Sequence, residues 1–206
     1  DLIIKAAEEQ DKGKKSGFLS LDMSLLRKCP CPVWLARPFE HPQAPKIVTA
    51  IDPFSEEEQA RDMHIALAQM GQSLAEYLGG ENVILSAWAF EYEGYLRNAP
   101  FAKMESGKVD ALMEETREAH ETALQELLKH ADLADQVPIC KRGRAEDIIP
   151  DYVRKNAVDL MVMGTVARTG IPGFMIGNTA ENIVQQLECG MIAKKPHGFV
   201  SPVKAY

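Results

Sequence analysis

The chain lacks the marks of several functional classes. Its four cysteines, Cys29, Cys31, Cys140 and Cys189, include no C-x-x-C pair. Cys29-Pro30-Cys31 is C-x-C, and no second pair completes a metal tetrad, so no metal site is read from them. These thiols read as small buried groups in a reducing cytoplasm. Positive charge is also scarce, with 23 Lys and Arg against 30 Asp and Glu and a net charge of −7. A nucleic acid or an anionic membrane as main partner needs clustered cations, so both are excluded. No apolar run approaches the roughly 18 residues of a membrane span, and no signal peptide is visible. There is no H-E-x-x-H, no G-x-S-x-G elbow, no G-x-x-x-x-G-K-[ST] and no G-x-G-x-x-G after a strand. His41, His64, His120, His130 and His197 lie far apart. No catalytic constellation emerges, which points away from an enzyme.

What is present is ordinary globular material, 46% hydrophobic and 26% charged over 206 residues. The most informative stretch is Asp159–Asn182. An apolar run, Leu160–Met163, stops at Gly164. A loop with Gly170, Gly173 and Gly177 follows, and Asn178-Thr179 reads as the N-cap of a helix over Ala180–Leu187. Strand, glycine loop and helix start build an anion cradle, because glycines let backbone N–H groups approach a phosphate and the helix end adds unpaired donors. Arg168 in the loop is either a phosphate partner or a solvated charge.

The second feature is an internal repeat. Shifted by 158 residues without gaps, Asp1–Pro38 lies on Asp159–Pro196. Asp1 meets Asp159, Leu2 meets Leu160, Cys31 meets Cys189 and Pro38 meets Pro196. So long a period means duplicated domains rather than a solenoid. The chain opens inside an apolar run with no Met, so residues 1–38 read as the C-terminal fragment of a first copy. Residues 39–45 read as a proline-rich linker, 46–198 as a complete copy and 199–206 as a tail.

The complete copy alternates strand and helix. Ile47–Ile51 is a β run ended by Asp52-Pro53. Ser55–Glu58 forms a capping box before a helix carrying Met63, Leu67, Met70, Leu74 and Leu78, closed by Gly79-Gly80. Val83–Trp88 is the next strand. Glu91–Lys108 reads as an irregular flap. Val109–Leu128 is helical, Val137–Lys141 is a strand that Pro138 favours at a sheet edge, and Ala145–Asn156 is a helix that tolerates Pro150 only in its first turn. Asp159–Met163 and Met191–Lys194 are the last strands. This alternation predicts an α/β fold with a parallel sheet covered on both faces.

The spacing after Gly164 resembles the universal stress protein signature, G-x2-G-x9-G-[ST]. Gly164 and Gly177 fill the first and last glycines. Ala167 stands at the second, and Asn178 at the hydroxyl position with Thr179 next. Together with the repeat, the whole chain resembles the tandem, E-like members of that family. The resemblance implies an adenine nucleotide α-hydrolase-like fold: a five-stranded parallel open sheet in the order 3-2-1-4-5, plus a β-α-β fragment of the second copy. It implies a nucleotide site, with Ala50, Ile51 and Asp52 at the base and sugar and Ala87, beside Trp88, packing on the base. Asp52 also reads as a plain helix-start residue. Met163, Gly164, Ala167, Gly177, Asn178 and Thr179 fall on the phosphate side. The implied ligand is ATP with Mg²⁺ or a related small molecule. The implied role is a non-enzymatic cytoplasmic stress regulator, with hydrolysis of the nucleotide a minor reading. The alternative is a member that binds no nucleotide and works through protein contacts. Family members pair their last strands, so Val33–Ala36 and Met191–Lys194 are expected side by side, within one chain or in a homodimer. In the fragment, Glu8 and Glu9 stand where phosphates would lie, which argues against a nucleotide there. A free fragment is expected to expose Leu2–Ile4 and Leu25–Leu26.

Overall fold

The computed structural model describes residues 1–8, 17–54, 58–98, 104–165 and 176–203. The capping box at 55–57, the fragment's loop at Glu9–Ser16, and Ala167, Arg168, Gly170 and Gly173 lie outside the described residues. In chain order the elements are β1 (Ile3–Ala6), α1 (Ser20–Lys28), β2 (Val33–Ala36), β3 (Lys46–Ala50), α2 (Glu58–Leu78), β4 (Glu81–Trp88), α3 (Glu93–Asn98), α4 (Ser106–His130), β5 (Ile139–Arg142), α5 (Ala145–Lys155), β6 (Leu160–Gly164), α6 (Asn178–Val184) and β7 (Gly190–Lys194).

One sheet takes all seven strands, in the order β1-β2-β7-β6-β3-β4-β5. The expected five-stranded sheet with a separate fragment is therefore corrected. β2 pairs antiparallel with β7 and carries β1 with it, so the sheet continues without a break. Every other pairing is parallel. In the β2–β7 register Trp34 faces Ile192, flanked by Val33 opposite Ala193 and Leu35 opposite Met191.

Strand side chains alternate between faces, and the core divides accordingly. Val48, Ala50, Leu85, Met161, Met163, Met191 and Ala193 join Met23 and Leu26 of α1, Ile149 and Val153 of α5, and Ile183 and Val184 of α6. Ile47, Ile51, Ile84, Leu160, Val162 and Ile192 join Met63 and Leu67 of α2 and Leu124, Leu127 and Leu128 of α4 on the other face. β6 is buried on both faces up to Met163, which is why it reads as a continuous apolar run. Helix α2 crosses β3 and β4 closely. A β-carbon on Gly71 would lie 1.9 Å from Thr49 Oγ1.

Several local expectations change. The Glu91–Lys108 flap is not wholly irregular, because it holds α3 and the start of α4. Arg97 pairs with Glu93 and Asp110, and Arg142 pairs with Glu93, which ties α3 to α4 and β5. Val137 is exposed and precedes β5, which starts at Ile139 on the sheet edge. Pro150 sits inside α5 rather than in its first turn. It has no N–H to give the Glu146 carbonyl four residues back, and Gln186 Nε2 donates to that carbonyl instead, at 3.2 Å. Leu2, Ile3 and Ile4 are exposed, but Leu26 is fully buried and Leu25 half-buried under α6 and its neighbours.

Polar contacts hold the joints. Asp159, buried before β6, accepts from the backbone amides of Glu40, His41 and Lys46 and lies 3.0 Å from His41 Nδ1. Burial alone would raise its pKa. The amides of Lys46, His41 and Glu40 and the His41 ring outweigh that and hold it below the usual value. Across the β2–β7 seam, Arg37 donates to the Leu187 carbonyl at 3.2 Å, and Lys195 Nζ donates to the Cys29 carbonyl at 2.5 Å. Burial pulls the Lys195 ammonium down to about 8.

Candidate functional site

β3 and β6 lie side by side and run parallel, with Thr49 level with Val162. From β3 the chain leaves through α2 on one face, and from β6 through α6 on the other. Their C-terminal ends therefore open a crevice at the point where the chain direction across the sheet reverses. Ligands of open α/β sheets sit at such points.

The structure brings Asp52 and Gly164 to this crevice. Asp52 is exposed, and its Oδ1 accepts from the Phe54 amide at 3.0 Å across Pro53. It therefore serves the turn as well as facing the crevice. Gly164 ends β6 beside α2, where an added β-carbon would lie 2.7 Å from Met63 Cε. The near atoms are the flexible end of Met63, which can move aside, so packing alone does not demand glycine here. Ala50, Ile51 and Met163 are buried with side chains in the two cores, so they present backbone only. Even that is partly used: the Ile51 amide donates to Leu85 O, and its carbonyl accepts from Ser86 Oγ at 2.6 Å. Ala87 is half-buried near the end of β4, level with Lys141.

On the β6 side, the Gly177 amide donates to Thr165 O at 2.9 Å, which brings the start of α6 to the strand end. The N-cap is Gly177, not Asn178, so the cap residue itself offers no side chain to the helix amides. Asn178 and Thr179 are exposed on its first turn, and regular α-helix ends at Val184 rather than Leu187. Thr165 is buried, and its Oγ1 has no hydrogen-bond partner among the described residues. Arg142 and Arg144 stay at the surface, paired with Glu93 and Glu146.

Sequence spacing missed a polar group at the β3 end. Ser86 from β4 and His120 from α4 are both buried, with Ser86 Oγ 2.8 Å from His120 Nε2. The single hydroxyl proton goes to the Ile51 carbonyl, so His120 Nε2–H is the donor to Ser86 Oγ. Ser86 is thus held as a hydrogen-bonding link and is not activated as a nucleophile. Phe54 packs at 5.5 Å against the His120 ring. His64, next to Met63 on α2, has a buried Nδ1 with no partner among the described residues. Burial lowers the pKa of both histidines, and the charge of Asp52 pulls both back up. Asp52 is therefore the shared charge of the group. The two histidines are 56 positions apart, and only the packing of α2 and α4 over one face of the sheet unites them. No group of three or more His, Cys, Asp or Glu suited to a metal occurs among the described residues. No helix among them is long and apolar enough to cross a membrane.

The mirror position at the end of β1 is built differently. Asp22, fully buried on α1, takes the Lys5 ammonium at 2.7 Å and the Glu8 amide at 2.9 Å. Glu8 Oε2 accepts from the Leu21 amide in the first turn of α1. The chain's own carboxylate occupies the helix start. Because β2 and β7 are antiparallel, this end opens on the opposite edge of the sheet from Gly164.

Comparisons with known proteins agree with this architecture. Residues 44–193 match the profile of the universal stress protein family. The chain is 29% identical over 207 residues to universal stress protein E of Photorhabdus laumondii, covering 100% of this chain and 64% of that protein. It is 29% identical over 206 residues to universal stress protein E of Escherichia coli K12, covering 99% and 63%. A crystal structure of a putative universal stress protein from Pseudomonas aeruginosa superposes with a TM-score of 0.74 at 26% identity, covering 95% of this chain and 63% of that one. The chain thus spans just under two thirds of the length of these relatives. With the profile covering most of its length and the switch-point crevice in place, the chain belongs to the universal stress protein family.

Proposed function

We propose that the crevice between the β3 and β6 ends binds an adenine nucleotide, ATP with Mg²⁺ or a close relative, and that the protein is a cytoplasmic, non-enzymatic stress regulator. The observation that carries this reading is the juxtaposition of Asp52 with Gly164 and Thr165 at the switch point. Asp52 would meet the sugar, and the Gly164–Thr179 segment, with Ala167 and Arg168, the phosphates. Thr165 Oγ1 and His64 Nδ1, buried without partners among the described residues, support a polar ligand at this end. With no metal-binding cluster among the described residues, Mg²⁺ would arrive on the phosphates. The locked Ser86 hydroxyl supports binding over hydrolysis.

Residues 1–38 and 159–196 are, in this reading, two copies of one unit. The 158-residue shift carries β1, α1 and β2 onto β6, α6 and β7, with matching starts within two residues. It carries Trp34 onto Ile192, its own partner in the sheet. It also exchanges the two seam contacts: Arg37 becomes Lys195, and Leu187 stands where Cys29 does. A local two-fold axis between copies would give this reciprocity.

Native mass spectrometry before and after adding ATP with magnesium tests the reading. One bound nucleotide is expected, weakened in Asp52→Ala and strengthened in Ala167→Gly, where a glycine restores close backbone approach. A clean unliganded mass in all three forms overturns it. That result would favour the second reading, action through protein contacts, for which the exposed Leu2, Ile3 and Ile4 on edge strand β1 offer a surface.

A further inference from the structure

We propose that Cys29 and Cys31 form a thiol–disulfide exchange site, at which a small disulfide oxidises the pair to a Cys29–Cys31 bridge. It goes beyond the reading of these thiols as small buried groups, and it stands apart from the nucleotide reading.

The geometry carries it. The two sulfurs lie 3.2 Å apart across Pro30, and all four cysteines are free. A disulfide spans about 2.05 Å, so closure needs roughly one ångström of movement. The backbone already holds the pair in place. Cys29 ends α1 in an extended conformation, with its amide bonded to Leu25 O, and Val33 opens β2 shortly after. Access is uneven. Cys29 is buried and Cys31 half-buried, so Cys31 is the sulfur an incoming reagent meets.

Two thiols stand side by side at one place only. The buried Lys195 ammonium holds the Cys29 carbonyl, and both sulfurs act on its charge. The Cys29 sulfur and burial hold the Cys31 thiol above its usual range, so the exchange proceeds through a minor thiolate fraction and rests on the pairing of the two sulfurs. In the other copy, Cys189 occupies the place of Cys31, but Leu187 replaces Cys29, and burial pushes the Cys189 thiol up to about 12. Burial also raises the Cys140 thiol. The seam thus joins one dithiol to one inert thiol.

The reaction balances as an exchange. A Cys31 thiolate attacks one sulfur of the small disulfide, whose S–S bond breaks and releases one thiolate. The Cys29 thiolate then attacks Cys31 in the mixed disulfide and expels the second thiolate. The pair loses two electrons and two protons, and the small disulfide is reduced to two thiols.

The test uses the full chain in buffers of reduced and oxidised glutathione, quenched by acid, alkylated and mass-analysed. The expected product is lighter by about 2 Da, the two hydrogens lost. It carries one link between Cys29 and Cys31, and Cys140 and Cys189 remain alkylatable after unfolding. The bridge should form at least tenfold more favourably in the folded chain than in the same chain in urea, because folding holds the sulfurs together. Cys29→Ser should trap glutathione on Cys31 and keep it. A lasting glutathione adduct on the unaltered chain, earlier loss of Cys140 or Cys189, or no advantage of folding would each overturn the proposal.

Discussion

The ends of β1 and β6 occupy the same place in a strand–helix unit, yet their described residues are built differently. At β1 the chain fills the position itself: Asp22 binds Lys5, and Glu8 takes an amide of the α1 start. At β6 the matching residues are Met163 for Lys5 and Ala180 for Asp22, both buried and apolar. Among the described residues no carboxylate caps α6, and Thr165 Oγ1 is left without a partner. One backbone geometry therefore yields a closed joint or a candidate site. Whether an internal anion satisfies the helix amides decides which.

The sharpest way to break the comparison is at Asp159, the β6 counterpart of Asp1. Asp159→Ala removes the acceptor of three amides and a histidine ring and should cost about 3–5 kcal/mol. Asp1→Ala should cost almost nothing, and urea unfolding of both variants checks the contrast. Next in size is Asp22→Ala, which leaves the Glu8 amide unpaired at the closed end. A loss of about 2–3 kcal/mol is expected from the urea midpoint. Ala180→Asp, the reciprocal change, should also destabilise, because Met163 offers it no cation.

A smaller effect separates the histidines. Burial lowers the His64 and His120 pKa values in the folded state below the ordinary histidine value of about 6.5. The unfolded chain then binds more protons as pH falls through 6.5, so stability is present above that value and is lost below it. The slope is no steeper than about 1.4 kcal/mol per pH unit for each histidine. Thermal unfolding between pH 7.5 and about 5 reads it, and His120→Asn should flatten the curve. The smallest effect is Gln186→Ala, which uncovers the Glu146 carbonyl below Pro150 and should cost about 0.5–1 kcal/mol by the same urea assay.

Much of the fold was legible. The β6 and β7 strands are continuous apolar runs because they are buried on both faces, and α2 shows its helical period because one face packs on the sheet. The placement of Asp52 and Gly164 at the ends of β3 and β6 was legible because turn and glycine signals are local. Other features were not. Gly177 caps α6 where Asn178 was expected, because a backbone contact to Thr165 sets the chain's entry into the helix. Pro150 passes inside α5 because Gln186 from another helix covers the exposed carbonyl. His64 and His120 give no joint signal, since neither has the other in its local neighbourhood.

The sequence by itself determined the alternation of strands and helices, the Gly164–Gly177 spacing and the 158-residue correspondence, because periodicity, turn chemistry and register are written along the chain. Only the tertiary structure decided that β2 and β7 fuse seven strands into one sheet. Only it brought Asp52, His64, Ser86 and His120 to one crevice and set Cys29 and Cys31 at 3.2 Å beneath Lys195. Apart from the two cysteines, these groups come from separate elements. Packing and desolvation, which act between distant residues, place them.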